Sequence, residues 1–120
     1  MEKSVEQLRK EFLDETVAFY SEDVSRRAVE DDNVTCRYRI DEKKCAIGRH
    51  IPDEIYHNSI EGGGIESLLV RECLPKEIID LGISFLNHVQ ALHDNNFNWN
   101  EHGLSDSGEL HYNAIIKIFC

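Results

Sequence analysis

Between Pro75 and Asn95 the chain carries its widest apolar periodicity, and this segment limits what the fold can be. Ile78, Ile79, Leu81, Ile83, Phe85, Leu86, Val89 and Leu92 recur at helical spacing over a broad face. A helix of that kind must be surrounded by other elements. A chain of 120 residues has material for one such core and buries roughly two thirds of the surface its unfolded form exposes. Pro75 suits the first turn of this helix and Asn95-Asn96 ends it, while Gly82 falls inside the run and marks a close helix contact.

The other segments supply the surroundings. Ser4 and Gln7 form a capping box, and Val5, Leu8, Phe12 and Phe19, widened by Leu13, Val17 and Tyr20, predict a helix ending near residues 21–23. Residues 34–40 alternate, with Cys36, Tyr38 and Ile40 on one face and Thr35, Arg37 and Arg39 on the other, which is the period of a strand. Asp41-Glu42-Lys43-Lys44 reads as a four-residue turn, and Cys45-Ala46-Ile47-Gly48 returns as a second strand. Such a hairpin is marginal alone and must rest on the helices. Pro52, with Asp53 and Glu54, opens a short helix to Ile60. Gly62-Gly63-Gly64 breaks the chain, and a further short helix spans residues 65–73. Trp99, with Phe97, falls in a polar turn and is either a core plug or an exposed aromatic anchor for a partner, the core being the preferred reading. A last helix starts near Ser107 and carries Leu110, Ala114, Ile115 and Ile118. The expected fold class is α+β: a mainly helical single domain over residues 1–120, with about four to five helices and one small β-hairpin.

Charge narrows the partners. The formal net charge is −10, spread as −5 over residues 1–33, +3 over residues 34–50 and −8 over residues 51–120. An excess of carboxylates argues against direct nucleic-acid binding, which needs cations to replace counterions. It suits docking onto a basic protein. No apolar run approaches the roughly 20 residues of a membrane helix, and the N-terminus lacks the pattern of a secretory signal, so no membrane partner is expected and the cytoplasm is the expected compartment. The wide spacing of Cys36, Cys45, Cys73 and Cys120 fits reduced, mostly buried thiols.

The positive island at residues 34–50 is the chemically distinct stretch. In a regular hairpin with a four-residue loop, Cys45 faces Ile40 and Cys36 faces Arg49, which places the two sulfurs about 13 Å apart. That separation disfavours a disulfide or a shared metal, and no cofactor is expected. Arg37 and Arg39 then share the outer face with Ala46 and Gly48, and Arg49 stands at the strand end. Open space beside guanidinium groups can hold a phosphate or a carboxylate, so Arg37, Arg39 and Arg49 are the candidate binding residues for an anionic small ligand such as a nucleotide. The competing expectation is that they pair with the chain's own carboxylates, among them Asp53, Glu54 and Glu61. Cys36, Cys45, Cys73, His50, His93 and Asp94 lack a recognisable catalytic surrounding, and His93 suits the helix dipole at the end of the long helix. No catalytic residue is assigned; a metal-dependent enzyme is the third reading.

Cys36-x-Tyr38-Arg39, Lys44-Cys45-Ala46-Ile47-Gly48-Arg49, Ile51-Pro52-Asp53-Glu54 and Tyr56 together resemble a group of small proteins without an established activity from phages, prophages and bacterial genomes. Leu68-Leu69, the helix end at Leu92-His93-Asp94 and Trp99 extend the resemblance over roughly residues 34–104. The resemblance implies a setting and no catalytic residues: a small acidic, non-enzymatic protein that binds a host protein, such as a basic nucleic-acid-binding protein of a bacterial defence system, and inhibits it. A homodimer is a further partner that the sequence admits.

Overall fold

Helix α1 (Val5–Glu22) begins where the capping box places it. The Gln7 N–H donates to Ser4 Oγ at 3.2 Å, and the Ser4 N–H donates to the Gln7 side chain at 2.9 Å. Phe12, Leu13, Thr16 and Tyr20 form its buried row. The structure, a computed structural model, describes residues 3–28, 38–40, 42–61 and 67–120. Cys36, Arg37 and Gly62-Gly63-Gly64 lie outside the described residues.

The apolar segment after Pro75 is not one helix. Helix α2 (Leu68–Cys73) is followed by α3 (Lys76–Ile79), a single turn, and by α4 (Ile83–Asp94), with Gly82 between them at φ 101°. That left-handed backbone is open to glycine and ends the first helix. The break frees the Leu81 carbonyl, and Arg9 of α1 donates its Nε to it at 2.8 Å. Beyond the break α4 is central as expected, with Phe85, Leu86, Val89 and Leu92 buried.

The hairpin also differs in register. Strands β1 (Arg39–Ile40) and β2 (Lys43–Lys44) pair antiparallel with Ile40 opposite Lys43, so the turn has two residues rather than four. Cys45 therefore faces Tyr38, and its N–H donates to the Tyr38 carbonyl at 3.1 Å. The chain then leaves the sheet for a 3-10 turn at Gly48–His50. Cys45, Ala46, Ile47 and Gly48 are all buried, so Ala46 and Gly48 do not leave an open outer face. This short hairpin is plugged into the helical core. Tyr20 Oη of α1 donates to the Lys44 carbonyl at 2.5 Å, and the Gln90 side chain of α4 accepts the Ile47 N–H at 3.2 Å.

After Pro52 there is a turn, with the Ile55 and Tyr56 N–H groups both donating to the Pro52 carbonyl at 3.0 Å, and then a 3-10 turn at Asn58–Ile60, in place of the expected helix. Trp99 lies in a second small hairpin, β3 (Trp99–Asn100) paired with β4 (Gly103–Leu104). Its ring is buried, and its Nε1 donates to the Leu92 carbonyl at 2.9 Å, which Asn98 Nδ2 also reaches at 3.1 Å. A free carbonyl near the end of α4 is capped in this way. Helix α5 (Asp106–Phe119) starts from the Ser105 cap and buries Gly108 and Ile115, while Leu110 and Ile118 face outward. The chain is an α+β single domain with five α-helices and two antiparallel two-stranded sheets among the described residues. No described helix is long and apolar enough to cross a membrane.

Gly48 fixes how closely the hairpin approaches the turn behind it. A Cβ there would lie 2.2 Å from the Tyr38 carbonyl oxygen, a backbone atom that cannot rotate away. Gly48→Ala is expected to destabilise the fold by about 3 kcal/mol or more, read as a lower urea midpoint.

Candidate functional site

The two described arginines of the candidate site are both engaged within the protein. Arg39 leaves β1 and crosses the segment after Gly48. Its Nη2 donates to the Ile51 carbonyl at 2.6 Å, its Nη1 pairs with Asp53 at 2.8 Å, and its guanidinium lies 4.6 Å from the centre of the Tyr56 ring. Lys44, opposite Arg39 in the ladder, shares Asp53 at 3.3 Å. Behind them the Glu61 carboxylate accepts the Tyr38 N–H at 2.9 Å, the Arg39 N–H at 3.1 Å and the Tyr56 hydroxyl at 2.6 Å. Glu61 thereby anchors the start of the hairpin to the turn that follows it.

Arg49 goes elsewhere. From the 3-10 turn it reaches α1, where both of its terminal nitrogens meet the Glu15 carboxylate and its guanidinium lies 4.4 Å from the Phe19 ring centre. The side chains of Arg39 and Arg49 are only 13% and 12% exposed. The Arg49 hydrogen bond holds the Glu15 carboxyl below its usual range, and Lys44, with Arg39, does the same for Asp53. The competing expectation of internal pairing therefore describes Arg39 and Arg49, and Arg37 lies outside the described residues. An anion entering here has to displace Asp53 or Glu15. Asp53 was legible as a neighbour in sequence. Glu15 was not, because nothing local connects positions 34 residues apart.

A groove of about 710 Å³ adjoins this site, lined by Phe19, Ser25, Arg26, Glu42, Lys43 and Lys44. Its cations are largely matched by acids: Arg26 pairs with Glu22 at 3.1 Å, Lys44 with Asp53, and Glu42 stands beside Lys43. Arg26 also lies 4.5 Å from the Phe19 ring, so Phe19 carries two guanidinium groups.

Three of the titratable groups singled out in the sequence, Cys45, His93 and Asp94, form with Gln90 a polar seam between the hairpin and α4. Cys45 is fully buried and accepts the Gly48 N–H at 3.1 Å; burial pushes its thiol up to about 12. Such a thiol is a structural group and not a nucleophile at neutral pH. Gln90 donates to Asp94 at 3.1 Å, and Asp94 meets His93 Nδ1 at 2.7 Å. His93 turns inward beside Tyr20 and its Nε2 has no hydrogen-bond partner. Burial lowers its pKa against the pull of Asp94, so at neutral pH it is uncharged and does not serve the helix dipole. His50, stacked on Phe12, is lowered by burial and by Arg49. Phe97 is 81% exposed, unlike its neighbour Trp99. Among the described residues, no group of three or more His, Cys, Asp or Glu side chains converges as metal ligands. Compared with models of protein families, with curated proteins and with solved structures, the chain matches none.

Two pH windows follow. Below about 6.5, the ordinary histidine value, the unfolded chain takes up protons that buried His93 and His50 resist in the folded state, so stability falls between about pH 7 and pH 5. The carboxylates held low by Arg49 and Lys44 add a second loss only below about pH 4.5. Thermal unfolding against pH reads both. His93→Phe, which keeps a ring beside Tyr20, is expected to reduce the upper loss to the part carried by His50 and to leave the lower one in place.

Proposed function

We propose that this chain is a small, acidic, non-enzymatic protein of the phage or prophage type, that it binds a host protein through a basic surface on that partner, and that it inhibits a bacterial defence system by doing so. The observation that supports this reading is where the charges stand. Arg9, Arg26, Arg27, Arg39 and Arg49 are all drawn at least partly inward, where they serve the protein's own carbonyls and carboxylates. Among the described arginines, Arg71 is the exposed one. Carboxylates such as Glu11, Glu54, Glu72, Glu77 and Glu101 face outward. The surface is thus more negative relative to its cations than the composition alone implies, a distribution that steers association toward basic proteins. The partner class that fits is a nucleic-acid-binding protein whose basic channel this chain occupies.

The chain, used as bait in lysate of the bacterial host, is expected to retain a protein at low salt and release it at about 0.5 M NaCl. A variant with Glu54, Glu72 and Glu77 each changed to Gln is expected to retain less of it at low salt. A lysate that yields no salt-sensitive partner removes the reading.

A further inference from the structure

Helix α5 is apolar on two sides, and only one of them is used by the fold. Its inner side holds Gly108 and Ile115. On the outer side Leu110, Ala114 and Ile118 stand four residues apart in one row. All three are exposed, Leu110 to 73% and Ile118 to 65%. The row spans about 12 Å of helix. Glu109, Asn113 and Lys117 run along one flank of it. Glu109 and Asn113 also line a groove of about 450 Å³ between α1 and α5, together with Asp14, Val17 and Leu104.

We propose that this row is a self-association surface, on which two copies of the chain pair their α5 helices antiparallel with Ala114 at the two-fold axis. The symmetry of the row points to a second copy. A two-fold contact is self-complementary, each patch meeting itself reversed. About Ala114, Leu110 of one copy meets Ile118 of the other, twice over, and the alanine lets the helices approach to about 8 Å. The charges share this centre to within one residue. In an antiparallel pair the same flanks face each other, so Lys117 lies level with position 111 of the second copy. That is two residues, or about 3 Å of rise, from both Glu109 and Asn113. Each copy's lysine thus reaches the groove of the other at its Glu109 flank; Asp14 in that groove is already held by Lys10 and Tyr112. In a parallel pair opposite flanks face each other, so Lys117 would not lie across from Glu109. Antiparallel helix dipoles also attract. The row is smaller than a standard interface and each copy carries a net charge of −10, so the association is weak and driven by concentration. It does not depend on the basic partner proposed above.

Sedimentation velocity of the full chain, with reductant present because Cys120 is exposed, tests the pairing across roughly two decades of concentration. The mass is expected to rise from 13.9 kDa toward twice that value. Leu110→Glu and Ile118→Glu are expected to hold the chain monomeric with an unchanged melting temperature, since both side chains are exposed. Lys117→Glu and Glu109→Lys are each expected to weaken the dimer roughly five-fold, and the two combined to restore it. The combined variant keeps the native net charge, so restoration reports the local pairing and not the overall repulsion. A chain that stays monomeric throughout overturns the proposal. So does a dimer indifferent to Leu110→Glu, or a double reversal that fails to restore what the single changes lose.

Discussion

The carbonyls of Leu81, His93 and Ile51 stand where helices and turns end, and each receives an arginine. Arg9 reaches Leu81 at the break before α4, Arg27 reaches His93 near the end of that helix at 2.7 Å, and Arg39 reaches Ile51 after the 3-10 turn. A small domain built from short elements has many such ends, and their carbonyls lack partners within the element itself. A hydrogen bond from a charged donor contributes about 1.5–3 kcal/mol, more than a neutral one. The planar guanidinium adds ring contacts at the same time: Arg9 with Phe85 and Phe119, Arg27 with Trp99, Arg39 with Tyr56. Lysine, with a compact and strongly hydrated charge, could not replace it in these roles.

This use of arginine sets the character of the surface. Cations that serve the interior are screened from solvent by the aromatic rings and carbonyls around them, whereas acids such as Glu72 and Glu77 stay outside. The positive island at residues 34–50 reads as a binding site in sequence because a sequence shows charge without showing where it is satisfied. Folded, Arg39 and Arg49 fasten the hairpin to the turn after it, through Asp53, and to α1.

What was legible followed from local rules. The α1 capping box, the core row on α4 and the last helix, expected near Ser107 and found from Asp106, all rest on contacts within four residues or on periodicity. The misreadings lie where a distant contact decided the geometry. Gly82 looked like a packing glycine inside a helix; its φ of 101° ends one helix, and the freed carbonyl is satisfied by Arg9, 72 residues away in sequence. The hairpin turn looked four residues long because Lys43 and Lys44 are polar, yet both continue the ladder opposite Ile40 and Arg39, and Tyr20 holds the Lys44 carbonyl. Trp99 was readable as a core residue, but the hairpin that carries it was not, since β3 and β4 have two residues each and no period to detect.

The two associations proposed for this chain rest on opposite physics. Contact between an acidic surface and a basic one gains from long-range attraction and weakens as salt shortens the Debye length to about 8 Å at physiological ionic strength. Two copies with a net charge of −10 repel each other over the same range, so their pairing relies on the Leu110–Ala114–Ile118 row, whose gain comes from water released at contact and is insensitive to screening. Low ionic strength therefore favours the basic partner, and crowding of copies at higher ionic strength favours the pair. Glu109 is exposed on α5 beside the row, so a basic partner that covered that flank would exclude the second copy.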